Sequence, residues 1–106
     1  MEYTFNLANF EKEVLQSELP VLVDFYADWC NPCKMMAPVV EGLAKELNGK
    51  CKVGKCNIDE SMALAQKYRV ASVPTFMVFK AGQPAATFMG AMAAAQLRRQ
   101  VEEALR

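Results

Sequence analysis

Apolar residues recur along this chain with two periods, and the changes of period mark out its elements. Residues 6–17, NLANFEKEVLQS, carry Leu7, Phe10, Val14 and Leu15 at helical spacing. Asn6 or Asn9 suits the cap of that helix, and Pro20 marks its end. VLVDFYA, from Val21, is a nearly continuous apolar run that fits a central strand covered on both faces. Across 34–47, Met36, Val39, Val40, Leu43, Ala44 and Leu47 form one helical stripe. Pro38 lies inside it, removes a donor and predicts a kink, and Asn48 and Gly49 give a stop. CKVGKCNID (51–59) reads as a strand, and ESMALAQKY (60–68) as a short helix with Asp59 as its cap. VPTFMVFKAGQPAATFMG predicts a hairpin, with one strand near 75–80, a turn at Gly82 and a return over about 85–89. Pro84 fits only the start of an edge strand. Ala94, Leu97, Val101 and Leu105 predict a last amphipathic helix over 93–105.

With YTF (3–5) as a first strand, strands and helices alternate until the hairpin. That order predicts an α/β layer architecture. Its first half can be parallel through right-handed crossovers, and the hairpin must be antiparallel. No repeat, linker or low-complexity tract interrupts it, and 106 residues fit one domain, 1–106.

Composition narrows the function. A chain of this length buries about 65% of its unfolded surface, so neither metal nor disulfide is required for folding. Lys+Arg and Asp+Glu are both 12, giving zero net charge. No basic field is available for nucleic acid or an anionic membrane, so protein or small-molecule partners are expected. No stretch approaches the roughly 18 apolar residues of a membrane span. The acidic, interrupted start MEYTFNLANFEKEV does not read as a signal peptide, and the expected setting is reducing and cytoplasmic. There is no histidine. Cys–His nucleophile pairs, Ser-His-Asp triads and histidine metal sites are therefore excluded, and any base near a cysteine must be a carboxylate, an amine or water.

Four cysteines remain to be explained. Cys30 and Cys33 are followed by Cys51 and Cys56, a spacing close to a four-cysteine zinc pattern. Against zinc, Cys51 and Cys56 lie five apart on a predicted strand and point to opposite faces. A structural staple is the bland alternative, but so short a loop removes little chain entropy, and a cytosolic protein rarely keeps one. A redox couple uses more of the neighbourhood. Cys30 falls at a strand-to-helix turn, where free N–H groups and the helix dipole stabilise a thiolate and lower the thiol pKa. Pro32 fits the first helical turn. Cys33 sits one turn on, expected to lie deeper, as a resolving thiol would. Asp24 shares its strand face with Leu22 and Tyr26, so burial should raise its pKa and make it the candidate base for Cys33. Lys55, on the neighbouring strand, either faces solvent or tunes Asp24. Trp29 is a core residue or part of a docking surface. Cys56 alternates into the core beside Ile58 as an inert thiol. Cys51, near a strand start, is expected to be exposed and open to mixed disulfides.

VLVDFYADWCNPCKMMAP, VGKCNID, VASVPTFMVFKAGQ and FMGAMAAAQL together resemble the thioredoxin family over nearly the whole chain. The resemblance implies a mixed sheet of about five strands flanked by four helices. It implies Cys30 as nucleophile, Cys33 as resolving thiol, a reversible Cys30–Cys33 disulfide, Asp24 as buried acid and Lys55 as its neighbour. It makes Pro74 a cis-proline facing the cysteines, where alternation alone gives a strand-start proline. Trp29, Val73, Pro74, Gly90 and Ala91 would line a groove for an extended substrate chain. The implied activity is reduction of partner-protein disulfides by a monomer that a thioredoxin reductase recycles. No cofactor or metal is implied, and the glycines of KAGQPAATFMG lack nucleotide-binding spacing. Three features depart from the family pattern. Asn31 replaces the glycine of Trp-Cys-Gly-Pro-Cys, where with Pro32 it would tune the potential. Tyr26 stands where many relatives carry Trp, and the Cys51/Cys56 pair is additional. The rival readings are a thiol oxidase or isomerase of the same fold and a binding module without turnover.

Overall fold

A computed structural model describes residues 1–106. In chain order the elements are β1 (Glu2–Phe5), a π-helical segment (Glu11–Leu15), β2 (Val21–Tyr26), α1 (Asn31–Glu46), β3 (Lys52–Asn57), α2 (Met62–Lys67), β4 (Thr75–Lys80), β5 (Gln83–Met89) and α3 (Ala94–Ala104). The sheet runs β1-β3-β2-β4-β5. β1, β3 and β2 are mutually parallel, and β4 and β5 add antiparallel to them. The mixed five-stranded α/β layer expected from the alternation is the one observed.

β2 lies at the centre because nearly every residue in it is apolar and both its faces are covered. Leu22 joins Val53, Phe76 and Val78 against Met36, Val40 and Leu43 of α1 and Leu97 and Val101 of α3. Val21, Val23 and Phe25 point the other way, against Phe10, Val14, Leu64, Met77 and Phe79. Each such side chain contributes roughly 1.5–3 kcal/mol when fully buried. The alternation therefore assigns Asp24 to the face under α1, with Leu22.

Several local expectations are corrected. The first helix is shorter than 6–17: residues before Phe10 form a turn, and the rest winds wide, with the Gln16 N–H donating to the Glu11 carbonyl. Phe10, not Asn6 or Asn9, holds the cap position, without a side-chain cap bond; Asn6 and Asn9 instead brace the preceding turn, each side-chain oxygen accepting the other's backbone N–H. Leu7 falls in that turn and is 56% exposed rather than part of the stripe. α1 starts at Asn31 with Pro32 in its first turn, as the Cys30–Cys33 spacing implied, and it contains Pro38, whose ring is exposed. Ser61, not Asp59, holds the cap position of α2. β5 begins at Gln83 and takes in Pro84, because the strand is at the sheet edge and bulges there, with the register shifting between Val78 and Phe79. Ala94 lies on the exposed side of α3.

Candidate active site

The end of β2 and the start of α1 build the centre of the site. Cys30 is the N-cap residue of α1, in extended conformation (φ −95°, ψ 107°). An N-cap normally offers an oxygen to the free N–H groups of the first turn. Here the Cys30 Sγ does so, accepting from the Cys33 N–H at 3.1 Å. The first turn thus aims a donor and the positive end of the dipole at this sulfur. Asn31 and Pro32 fill the first two helical positions. Asn31 is therefore not the cap, and its side chain is exposed. Cys30 and Cys33 are joined as a disulfide, with Cα atoms 5.2 Å apart.

Cys33 is no deeper than Cys30: the two residues are 5% and 4% exposed. In the oxidised pair both pack with Ala27 against Tyr26, Ile58 and Val73. What differs is where each faces. The Cys30 sulfur lies 3.7 Å from the Val73 carbonyl oxygen. Cys33 lines a cavity of about 160 Å³ that also holds Asp24 and Lys55 in its wall.

Asp24 is 4% exposed, and its Oδ1 has no hydrogen-bond partner. Burial pushes its pKa from 3.8 to about 7, with Glu2 adding to the rise and Lys55 opposing it. Lys55 pairs with Asp24 across β3 and β2. Its ammonium rests 5.6 Å from the Tyr26 ring centroid and makes no ion pair. Tyr26 packs against the cysteines.

Val73 packs against Cys30, with Pro74 next to it in the chain. The Val73–Pro74 peptide bond is cis. The Gly90 N–H donates to the Pro74 carbonyl at 2.9 Å, which draws the end of β5 against that loop. Gly90 does this at φ 92°, a conformation an L side chain rarely adopts. Neither backbone group of Val73 joins a backbone–backbone hydrogen bond. Trp29 is 67% exposed, so a core role is ruled out, and its indole N–H donates to the Asp59 carboxylate at 2.9 Å. Ala91 is exposed.

The sequence matches the thioredoxin family model over residues 2–103. The chain belongs to the thioredoxin family. It is similar to thioredoxin from Rickettsia felis, at 52% identity over 83 residues (78% of this chain and 79% of that one). Thioredoxin from Pseudomonas aeruginosa is 50% identical over 90 residues, covering 85% and 83%. Thioredoxin 1 from a Nostoc species is 46% identical over 98 residues, covering 92% of both chains. The sheet and its four helical segments are the thioredoxin fold. The cysteine pair makes the chain a thiol-disulfide oxidoreductase, in a family that acts on disulfide substrates and is reduced by thioredoxin reductase.

The other cysteines stand apart from this centre. Cys51 packs under α1 and α3, Cys56 on the opposite face of the sheet, so the four sulfurs cannot converge on one ion. The expected exposure of Cys51 is wrong: it is 3% exposed, because Leu47 and Val53 enclose it. Burial raises its pKa to about 11, and its thiol donates to the Lys52 carbonyl. Cys56 is buried and likewise pushed up by desolvation. Two contributors escaped the sequence reading. Asp59, which suits a helix cap by residue type, instead anchors Trp29. Glu2 lines the Asp24 cavity, and only the β1–β3 register could have revealed it.

Proposed function

We propose that the chain is a recyclable dithiol carrier that reduces disulfides in partner proteins. The Cys30 thiolate attacks a partner disulfide, joining one partner sulfur and releasing the other as a thiolate. Cys33 then loses its proton to Asp24, attacks Cys30, and displaces the second partner sulfur. The partner gains two electrons, and Cys30 and Cys33 become the disulfide. A thioredoxin reductase returns the two electrons. Lys55 tunes Asp24, and Asn31 with Pro32 tunes the potential of the pair. Trp29, Val73, Pro74, Gly90 and Ala91 receive the partner's extended segment, using the unpaired backbone of Val73. The chain acts as a single-domain monomer in a reducing cytoplasm. No helix is long and apolar enough to cross a membrane.

One observation supports this division of labour above the rest. The unpartnered Asp24 carboxyl shares a cavity with Cys33, whereas the Cys30 sulfur caps α1 beside Val73. Insulin reduction with a dithiol donor tests it. Cys33→Ser should accumulate mixed disulfides through Cys30, and Cys30→Ser should lose turnover altogether. Full activity in Cys30→Ser refutes the mechanism.

A further inference from the structure

Sheet register brings a second carboxylate to the Asp24 cavity. Thr4 of β1 pairs with Lys55 of β3, which pairs with Asp24 of β2, and Glu2 pairs with Val53. Residues two apart share a strand face, so Glu2, Lys55 and Asp24 all lie under α1, with Lys55 on the strand between the acids. Glu2 and Asp24 line the same cavity as Cys33. Neither acid forms an ion pair with Lys55, whose ammonium rests over Tyr26, and the buried Asp24 Oδ1 lacks a partner. The remaining charged groups facing the cavity are Lys34 and Glu41 of α1 and Asp28 after β2, all exposed.

We propose that Glu2 is a positioning residue for the resolving step: across the shared cavity its carboxylate offsets Lys55 and keeps Asp24 a strong enough base to take the Cys33 proton. The electrostatics agree in sign. After burial, Glu2 is the next contributor that raises Asp24, and Lys55 opposes both. Glu2 is itself raised by burial, with Lys55 pulling it down and Glu41 adding to the rise. In the step concerned, the Cys33 S–H proton passes to an Asp24 oxygen. The Cys33 thiolate bonds to Cys30 Sγ, the Cys30–partner S–S bond breaks, and the partner sulfur leaves with the electron pair. Asp24 then releases the proton to solvent through the cavity that Glu2 helps to line.

This inference rests on Asp24 serving Cys33, and two readouts on the full chain keep the claims apart. Carboxyl carbon-13 NMR follows Asp24 itself. Stopped-flow measurement of mixed-disulfide resolution against pH follows the reaction. Glu2→Gln should move the Asp24 midpoint to lower pH and carry the acid limb of the rate profile with it. Glu2→Asp should restore most of the wild-type midpoint, and Glu41→Gln should move it less than Glu2→Gln. An unmoved Asp24 midpoint in folded Glu2→Gln overturns the proposal. So does an equal shift in Glu41→Gln, or a midpoint that moves while the rate limb stays put. Resolution at the wild-type rate in Asp24→Asn would instead remove Asp24 as the base, whatever Glu2 does to its titration.

Discussion

Replacing Asp24 by Asn should make the protein more stable, and only above acid pH. A carboxyl that titrates at about 7 in the folded chain and at 3.8 when unexposed to the fold is held protonated by the native state. The stability it contributes is fully present below pH 3.8 and is lost as pH rises through 7. Between those values the unfolded chain has released the proton and the native chain keeps it, so unfolding becomes easier by ~1.4 kcal/mol per pH unit. Roughly three units give a total of ~4 kcal/mol. Almost no solvent reaches the side chain, so screening discounts this little. Asn has nearly the same shape and no charge to desolvate. Asp24→Asn should match the wild type near pH 3.5 and exceed it by up to ~4 kcal/mol at pH 8. For a domain of this size that is about 15–20 °C in Tm. Guanidinium titrations of both oxidised proteins from pH 3.5 to 8.5 measure the difference, and other titrating groups largely cancel. A gain that is independent of pH, or one that shrinks as pH rises, would refute the buried-acid account. Loss of the proton acceptor should meanwhile slow mixed-disulfide resolution at neutral pH by about 10²-fold.

Arg69 follows Tyr68, the C-cap residue of α2, at φ 57°, a left-handed position that a side chain other than glycine occupies at a cost. It is exposed, so Arg69→Gly should raise stability by about 0.5–1 kcal/mol, read from the denaturant midpoint; a loss would show that the arginine side chain matters more than its backbone. Both Cys51 and Cys56 should resist thiol reagents in the native reduced protein and react only on unfolding, as mass spectrometry after a timed pulse would show. Rapid labelling of either would contradict its burial.

The sequence was most legible where one residue type has one physical use. Asp24 in an apolar run could only be expensive or functional, and the strand alternation sufficed to bury it under α1. Cys-x-x-Cys at a strand end fixed the start of a helix for the same reason. Legibility failed where the outcome depended on elements distant in sequence. Cys51 looked like a strand end open to water, but α1 and α3 close over it. Leu7 fits a helical stripe, but the hydrogen bonds between Asn6 and Asn9 hold it in a turn. Asp59 had the chemistry of a cap, and the indole of Trp29 claimed its carboxylate. Pro74 read as an ordinary strand start until the thioredoxin resemblance supplied its cis bond. Glu2 could not be read at all, because two parallel pairings separate it from Asp24.

The indole held by Asp59 has a practical consequence. Trp29 is the chain's only tryptophan and adjoins Cys30. Its emission therefore comes from one position, next to the bond that forms and breaks on each cycle. A neighbouring disulfide accepts electrons from an excited indole, and a dithiol does so poorly. The Asp59 carboxylate ties the indole N–H of this exposed ring at 2.9 Å. The molecule consequently carries an optical meter of its own oxidation, and its turnover can be followed without a label.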